Sequence, residues 1–314
     1  MPLPERQLIA RIRRAAQTLA AGRQILRTGI GDDAAVLRLP RGRELLVTTD
    51  FSLEGVHFRR AWHPPESVGH RCLARGLSDI AAMGGDPVAA FLSLALPSDL
   101  PQEWADGFLR GLLKLARRFH VPLAGGDITS SPAGVLADIM VLGTVPRGRA
   151  VLRSGARPGD SIFVTCVLGR SVAALNALHS GAQLVLRQHP AHFFPMPRLE
   201  IGRYLRERRI ASAMIDISDG LSTDLSHICE ESRVGAVVLA GSIPRNADSL
   251  DYALHGGEDY ELLFTAPASR RVPAKIAGVR VTRIGEITGS RKLWLETGSG
   301  RQKLEPHGWE HFAK

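Results

Sequence analysis

The chain has 314 residues, of which 44% are hydrophobic and 23% charged, and its formal net charge is +9. This length favours two domains, and the composition is that of a globular protein. No run approaches 18 apolar residues and the N-terminus lacks a secretory signal pattern, so we expect no membrane partner and a cytoplasmic location. Basic residues are spread along the chain and aromatic residues make up only 5%, which argues against a nucleic-acid partner.

The N-terminal half alternates helix and strand patterns. ERQLIARIRRAAQTLAAG has the 3.6-residue apolar period of a surface helix, although its arginines also resemble a transit peptide. ELLVTTD predicts a strand that ends at Asp50, and SVGHRCLARGLSDIAAMGGDP predicts a helix that stops at Gly84. PVAAFLSLALP predicts a strand, EWADGFLRGLLKLARRFH a helix, VPLAGGD a short strand that breaks before Asp127, and VLADIMVLGTVP a further strand.

A stretch rich in Gly, Pro and Arg, GTVPRGRAVLRSGARPGD, marks the expected domain boundary. We therefore predict domains over residues 1–148 and 149–314, together a mixed α/β fold. In the second half SIFVTC, SAMIDI, VGAVVLAG, ELLFTAP and VTRIGEIT predict strands, and SVAALNAL and LSTDLSHICEES predict helices. Cys72, Cys166 and Cys229 lie far apart without CxxC spacing, which predicts reduced core residues and neither a disulfide frame nor a zinc site.

Acidic residues beside glycine, serine or threonine are the main chemical signal. Asp50, Asp127 and Asp216 follow strand patterns, and the crevice beyond the carboxyl ends of strands is where open α/β sheets bind ligands. Taken singly, such an acid is explained as well by a helix cap, as for Asp219, or by a surface ion pair, as for Asp79. Taken together, they indicate a cation site. The set comprises Asp32, Asp33, Asp50, Asp79, Asp127, Asp216, Asp219, Glu258 and Asp259.

Oxygen ligands with small neighbours suit magnesium, which enzymes hold with a few carboxylates and the phosphates of a substrate. The glycines of AGGD and HGGED allow main-chain N–H groups to approach such phosphates. The P-loop, the dinucleotide-binding glycine pattern and the protein-kinase motifs are missing from the sequence. The residues alone thus predict a magnesium-nucleotide enzyme of unspecified class. In GIGDDAAVL, a metal ion beside Asp32 or Asp33 would relieve the repulsion between these neighbours.

Seven motifs in chain order resemble the thiamine-monophosphate kinase family, which belongs to the aminoimidazole ribonucleotide synthetase superfamily. They are GIGDDAAVL, TTDFSLEGVHF, LSDIAAMGGDP, LAGGD, RSGARPGD, IDISDGLSTDL and HGGEDYELLFT. The resemblance implies transfer of the ATP γ-phosphate to thiamine monophosphate, with several magnesium ions as cofactors and thiamine diphosphate and ADP as products. It also implies a homodimer whose N-terminal sheets pair into a barrel, with ATP in the cleft between domains.

The resemblance further assigns roles to residues of this chain. The implied magnesium ligands are Asp33, Thr48, Thr49, Asp50, Asp79, Asp127 and Asp216, with Asp219 holding a further ion. ATP contacts fall to Gly126, Asp127, Arg153 and Ser218, and thiamine monophosphate contacts to His57, Glu258 and Trp309. The transfer itself is assigned to Asp33, Asp50, Asp79, Asp127 and Arg153. A tyrosine that the family can place near the adenine has no match around residues 108–110.

The attacking atom in such a reaction is a phosphate oxygen that is already anionic, so no general base is required and direct in-line transfer without a phosphoenzyme is predicted. Two other classes stay open: another ATP-dependent enzyme of the same superfamily, and a nucleotide-binding protein without activity. Two of the assigned residues also have structural explanations. His57 is explained by a structural hydrogen bond, and Trp309 by packing of the C-terminal tail.

Overall fold

The computed structural model describes residues 2–20, 25–30, 34–246 and 249–312, without the side chains of residues 17–20. Helices and strands both occur throughout these residues, so the predicted mixed α/β class is confirmed. No helix in this part of the chain combines the length and the apolar character that a membrane crossing requires.

The chain forms two compact units. Unit 1 comprises residues 1–80 and 86–148, and unit 2 comprises residues 81–85 and 149–314. The short segment 81–85 thus groups with unit 2, whereas the predicted ranges assign it to the N-terminal domain. Each unit contains its own sheet and its own helices.

Unit 1 has a four-stranded main sheet in the order β3-β6-β4-β5 and a small sheet in which β1 pairs with β2. Strand β6 is antiparallel to β3 and β4, while β4 and β5 are parallel. The helices are α1 (Glu5–Ala20), α2 (Pro65–Ala82) and α3 (Gln102–Arg118), and the strands are β1 (Leu26–Thr28), β2 (Val36–Leu37), β3 (Arg43–Leu53), β4 (Asp86–Pro97), β5 (Leu123–Ser131) and β6 (Leu136–Pro146).

The main sheet of unit 1 has a covered face and a more open face. On the covered face Leu92 is buried, and α2 lies so close to β6 that a Cβ atom at Gly76 would stand 2.6 Å from the side chain of Val141. On the opposite face, along β3, the side chains of Val47 and Phe51 are 57% and 59% exposed. An edge strand with exposed apolar side chains is a typical protein contact surface.

Unit 2 has an eight-stranded sheet in the order β14-β13-β9-β12-β7-β10-β8, with β11 paired to β12. Its core includes Ile162, Val164, Ile215, Leu225 and Leu263. The helices are α4 (Arg170–His179), α5 (Pro190–Phe193), α6 (Leu199–Glu207), α7 (Leu221–Ser232) and α8 (Leu250–His255). The strands are β7 (Ser161–Thr165), β8 (Ala213–Ile217), β9 (Gly235–Leu239), β10 (Glu261–Ala266), β11 (Lys275–Ile276), β12 (Val279–Thr288), β13 (Leu293–Thr297) and β14 (Gly300–Lys303).

Three of the predicted acids lie inside strands and not beyond their ends. Strand β3 continues past Asp50 to Leu53, β5 runs through Asp127 to Ser131, and Asp216 belongs to β8. The prediction that these acids mark the carboxyl ends of strands is therefore wrong. Main-chain pairing to neighbouring strands continues through all three positions, including the two glycines before Asp127, which local sequence signals do not indicate.

The three cysteines are free. Cys72 and Cys229 are buried, as predicted, whereas Cys166 is half-buried. The prediction of three core cysteines is thus wrong for Cys166. The reason is that β7 ends at Thr165, so Cys166 leaves the sheet with a positive φ of 55°.

Candidate active site

Two carboxylates and a hydroxyl converge between β3 and α2 in unit 1. The hydroxyl of Thr48 donates to the carboxylate of Asp79, and Asp50 and Asp79 share a side-chain hydrogen bond, which requires a proton between them. Burial, and then the charge of Asp79, raise the pKa of Asp50 to about 7, although the Arg75 guanidinium opposes the shift. The pair therefore lies where a second negative charge is unfavourable in the absence of a cation.

The helical period brings Asp79 to this position. Arg71, Arg75 and Asp79 are spaced four residues apart, so they share one face of α2. Arg75 Nη1 donates to the carbonyl of Phe51 over 2.7 Å, and Arg71 Nη2 donates to the carbonyl of His57 over 3.2 Å. These bonds fix α2 along β3 and the turn that follows it, and they hold the carboxylates together.

The chemistry of this cluster fits a hard divalent cation. Carboxylate and hydroxyl oxygens are the ligands that magnesium prefers, and a bound dication would make the charged form of both aspartates favourable. Thr49 differs from its neighbours, because alternate residues of a strand face opposite sides of the sheet. Its exposed side chain lies on the face opposite Thr48 and Asp50, so the hydroxyl of Thr49 does not join this cluster.

Asp127 and Gly126 lie on β5, at the other edge of the main sheet from β3. Three strand spacings separate these edges, about 14 Å, so unit 1 does not bring Asp127 into the cluster of Asp50 and Asp79. Asp127 is exposed and its carboxylate accepts the N–H of Ile128 over 2.9 Å. Its predicted role as a ligand stays a prediction.

A cavity of about 530 Å³ opens beside Gly126 and Asp127. Its walls are largely apolar: Ile9, Ile12, Gly29, Ile30, Ala34, Ala35, Phe91, Leu92, Leu123, Ala124, Gly125, Gly126, Asp127 and Ile128. Gly126 has a φ of 150°, and a Cβ atom there would stand 1.9 Å from the carbonyl oxygen of Leu92. Only glycine therefore allows β5 to approach β4 this closely.

Asp32 and Asp33 lie outside the described residues, so the assignment of Asp33 as a metal ligand and its distinction from Asp32 stay predictions. The described residues on either side, Ile30 and Ala34, both line the cavity.

His57 has a structural bonding pattern. Its Nδ1 atom accepts the N–H of Leu53 over 3.0 Å, which closes the turn after β3 and places the ring proton on Nε2. The ring is half-buried. The structural explanation of His57 is supported by these bonds, and its predicted contact to substrate stays a prediction.

In unit 2 the loop after β8 is organised by one buried side chain, Asp224. Its Oδ2 atom accepts the N–H groups of Ser218, Asp219 and Gly220 over 3.1, 3.2 and 3.1 Å. Burial, and then the charge of Asp219, raise the pKa of Asp224 to about 8, while the three N–H groups act against this shift. Asp219 does not cap α7, because the cap position belongs to Gly220, and Asp216 is buried just before the loop.

A potential metal-binding group lies at the same place. Ligand atoms of Asp219, Asp224 and His227 all lie within 4.8 Å of one another. This arrangement is compatible with the predicted metal role of Asp219, and it adds two residues that the sequence analysis did not single out.

The loop HGGED is joined to the loop after β8. Glu258 has a positive φ of 63°, and its N–H donates to the carbonyl of Ser218 over 2.7 Å. A Cβ atom at Gly257 would stand 2.6 Å from that same carbonyl oxygen, so glycine is required for the contact. The structure thus brings Ser218, Asp219 and Glu258 together, and their predicted roles stay predictions.

Asp259, next to Glu258, has a structural role. Its carboxylate accepts the N–H groups of Gly169 and Ser171 over 2.7 and 3.4 Å, at the beginning of α4. Complete burial raises the pKa of Asp259 from 3.8 to about 7. The folded state therefore favours the neutral carboxyl group, and the stability that Asp259 contributes is present below about pH 4 and is lost as the pH rises towards 7.

We expect Asp259→Asn to reduce the difference between the Tm at pH 5 and the Tm at pH 8, because the amide has no charge to lose or gain over this range. Asp50 and Asp224 have shifts of the same sign, so the difference shrinks without disappearing. Thermal unfolding across this pH range is the measurement, with the exposed Glu231→Gln as the control. An unchanged pH dependence in Asp259→Asn would contradict the role of Asp259.

The C-terminal tail is attached to the same loop. The main-chain N–H of Trp309 donates to the carbonyl of Asp219, and the main-chain N–H of Gly308 donates to Thr223 Oγ1, both over 3.0 Å. A Cβ atom at Gly308 would stand 2.1 Å from the carbonyl oxygen of Asp219. The indole of Trp309 is 54% exposed, so tail packing uses its main chain and leaves much of the ring at the surface.

Arg153 lies away from this group within unit 2. Its carbonyl accepts the hydroxyl of Ser232, the last residue of α7, and the neighbouring carbonyl of Leu152 accepts the N–H of Met214 near the start of β8. Ser218 follows the opposite end of β8, roughly 15 Å away along the strand. The main chain at Arg153 thus lies near the opposite end of β8 from Ser218, and the predicted contact of Arg153 to ATP stays a prediction.

The chain also matches known proteins. Two family models match, AIR synthase related protein, N-terminal domain, over residues 31–145, and AIR synthase related protein, C-terminal domain, over residues 157–296. Together with the two mixed α/β units, they define the class as that of AIR synthase related proteins. The predicted AIR synthase-like fold class is thus confirmed.

Among curated proteins, thiamine-monophosphate kinase of Salmonella typhimurium is 38% identical, over 96% of this chain and 97% of that protein. The crystal structure of thiamine-monophosphate kinase from Stenotrophomonas maltophilia has a TM-score of 0.83 at 35% identity, covering 92% of this chain and 95% of that chain. The structure of AaThiL complexed with AMPPCP and TMP has a TM-score of 0.79 at 33% identity, with coverage of 97% and 96%. The chain belongs to the thiamine-monophosphate kinase family.

Proposed function

We propose that this protein transfers the γ-phosphate of ATP to thiamine monophosphate and releases thiamine diphosphate and ADP. Family membership supports the reaction, and a relative has been solved with both AMPPCP and TMP. The observation that carries the proposal is the convergence of Thr48, Asp50 and Asp79, in which the Thr48 hydroxyl donates to Asp79 and the charge of Asp79 helps to raise the pKa of Asp50. Such a group suits a magnesium-dependent phosphoryl transfer.

Magnesium, when bound, supplies positive charge that reduces the repulsion between the two polyanionic substrates. We assign it to oxygen atoms of this chain. The proposed ligands are Asp33, Thr48, Thr49, Asp50, Asp79, Asp127 and Asp216, with Asp219 for a further ion. For Thr49 the ligand is its main-chain carbonyl, because its hydroxyl faces away from Asp50.

The apolar cavity of unit 1 suits the base of ATP. A purine ring gains from apolar walls such as Ile9, Ile12 and Phe91, and the main chain at Gly126 has no side chain to hinder phosphates at the cavity rim. We therefore propose ATP contacts at Gly126 and Asp127, and further contacts at Arg153 and Ser218. The family's adenine tyrosine is not needed for this arrangement, since the walls are already apolar.

The acceptor phosphate of thiamine monophosphate attacks directly. One of its oxygens is anionic at neutral pH, so the protein has to orient it and need not remove a proton. We propose His57, Glu258 and Trp309 as the residues that bind thiamine monophosphate. No side chain carries the phosphate between the substrates, and a phosphorylated protein trapped during turnover would contradict this mechanism.

The test of this function is the release of ADP from Mg-ATP with and without thiamine monophosphate, together with chromatographic detection of thiamine diphosphate. We expect the two products in equal amounts, and only when both substrates are present. ATP binding without product formation would instead indicate a nucleotide-binding protein without activity. A cytoplasmic location stays a prediction.

Trp309 provides a test of substrate binding. We expect Trp309→Ala to raise the KM for thiamine monophosphate about 3- to 10-fold, because stacking on a flat heterocycle is lost, and to leave the KM for ATP unchanged. Steady-state kinetics with each substrate varied in turn is the measurement. Phe312→Ala is the matched control, since Phe312 is a fully exposed aromatic residue of the same tail. Equal effects on both KM values would argue against Trp309 as a thiamine contact.

We also propose a homodimer in which the unit 1 sheets of two copies pair into a barrel. The support is the edge position of β3 and its exposed Val47 and Phe51. Burying these side chains against a second copy would remove apolar surface from water. Sedimentation velocity should give about twice the mass of one chain, and a monomer at micromolar concentration would contradict the proposal.

A further inference from the structure

We propose that Asp224 is a positioning residue for phosphoryl transfer: its carboxylate fixes the main chain of residues 218–220, so that Ser218 and Asp219 face the bound nucleotide. This inference rests on the proposed function for the role of the loop. The hold of Asp224 on the loop itself rests on geometry alone.

The loop of residues 218–220 is held by hydrogen bonds that converge on one carboxylate oxygen. Three consecutive N–H groups, from Ser218 to Gly220, point at the single atom Asp224 Oδ2. The side chain of Asp224 is 1% exposed, so water does not compete for these donors. Three donors on one carboxylate oxygen require the loop to curl around it, which leaves the loop little freedom.

The carbonyl groups of the same loop hold two further residues. The carbonyl of Ser218 accepts the N–H of Glu258, and the carbonyl of Asp219 accepts the N–H of Trp309. Both of these residues are proposed to bind thiamine monophosphate. Asp224 therefore lies behind a loop that carries one proposed ATP contact and one proposed metal ligand, and that holds two substrate contacts in place.

The side chain of Asp224 is directed inward. It belongs to the first turn of α7 and bonds to main chain, and it is buried among the residues that cover β8. Because its Oδ2 atom is occupied by three loop N–H groups, Asp224 influences the proposed ATP contact at Ser218 through the loop that it holds, whether or not its other oxygen takes part in the potential metal-binding group with Asp219 and His227. Loss of such a supporting group typically weakens binding or activity about 10- to 100-fold.

The structure offers a matched control in Asp160. Its carboxylate is also buried, and its Oδ2 atom accepts the N–H of Arg157 and the hydroxyl of Ser212 over 3.0 and 2.6 Å. Ser212 precedes β8, so Asp160 holds a turn at the opposite end of that strand from Ser218. Asp224→Asn and Asp160→Asn thus make the same carboxyl-to-amide change at similarly buried sites of unit 2.

The experiment combines hydrogen exchange with calorimetric binding of AMPPCP in the presence of magnesium chloride. In Asp224→Ala we expect the amides of residues 218–220 to exchange roughly 10-fold faster or more, and the Kd for AMPPCP to rise about 10- to 100-fold. Asp224→Asn keeps one acceptor oxygen, so its exchange rate at residues 218–220 and its Kd for AMPPCP should lie between those of Asp224→Ala and the wild type. This variant also keeps the test valid if Asp224→Ala does not fold. Asp160→Asn should leave both readouts within about twofold of the wild type.

Two results would overturn the inference: unchanged exchange at residues 218–220 in Asp224→Asn and Asp224→Ala, or equal losses of AMPPCP binding in the Asp224 and Asp160 variants. Failure of the proposed function looks different. In that case the wild type forms no thiamine diphosphate, while the exchange measurement still reports whether Asp224 holds the loop.

Discussion

Asp50→Asn should lower kcat about 10³-fold at saturating substrates while raising the Tm of the metal-free protein at pH 8. The first effect follows because a metal-held charge contributes several kcal/mol to the transition state, and each 1.4 kcal/mol is tenfold in rate. The second follows because the amide removes a buried charge that Asp79 repels, the same repulsion that helps to raise the pKa of Asp50 to about 7. Kinetics at several magnesium concentrations and thermal unfolding without metal are the measurements.

The opposite signs of the two effects make this test specific. A substitution that only damaged the fold would lower activity and Tm together. Asp99→Asn is the control, because Asp99 is an exposed acid of unit 1 in the turn after β4 and is not among the charges that shift the pKa of Asp50. We expect it to change kcat less than about threefold. A loss of Tm in Asp50→Asn would mean that Asp50 is a structural residue.

Gly126→Ala should lower the Tm by about 10 °C and abolish tight binding of AMPPCP. The added Cβ atom would stand 1.9 Å from the carbonyl oxygen of Leu92, on a backbone with a φ of 150°, so β5 has to move away from β4. Overpacking and backbone strain of this kind cost about 3 kcal/mol together. Because β5 is displaced at the rim of the cavity proposed for ATP, the affinity for AMPPCP falls together with the stability of the protein.

Gly148→Ala is the control that separates the cost of a positive φ from the cost of the steric clash with Leu92. Gly148 also has a positive φ, of 67°, but a Cβ atom there would meet nothing within 4 Å. Its substitution should therefore cost only about 1 kcal/mol and leave AMPPCP binding intact. If the two alanine variants lost equal stability, the close approach of β5 to β4 would not be the reason for glycine at position 126.

The sequence predicts the elements of this fold well where the period is long. The amphipathic pattern of EWADGFLRGLLKLARRFH corresponds to α3, and the apolar run PVAAFLSLALP corresponds to β4. Strand ends are predicted poorly, as at Asp127, because pairing with a neighbour extends β5 through two glycines that local signals treat as a break.

The candidate site was predictable in its residue types but not in its grouping. Asp50 and Asp79 are 29 positions apart, and only the packing of α2 on β3 brings them within hydrogen-bond reach. The side chain of Thr49 faces away from Asp50 because neighbouring residues of a strand point to opposite sides of the sheet. This orientation could have been predicted from the sequence TTD. Asp224 was missed because an acid inside LSTDLSHICEES looks like an ordinary polar position of a helix. The available signal was its place in the first turn after a glycine loop.

Alternate residues of strand β3 face opposite sides of the sheet, and the two faces have different proposed roles. Even-numbered positions, Thr48 and Asp50, face the carboxylate of Asp79 on α2, while odd-numbered positions, Val47 and Phe51, lie on the opposite, exposed face that we propose as the contact to a second copy. Deleting one residue within this strand would exchange the two faces, so the proposed cation ligands and the proposed contact surface would be lost together. Deleting two residues preserves the frame. An insertion or deletion inside β3 therefore preserves both faces only when it comprises an even number of residues.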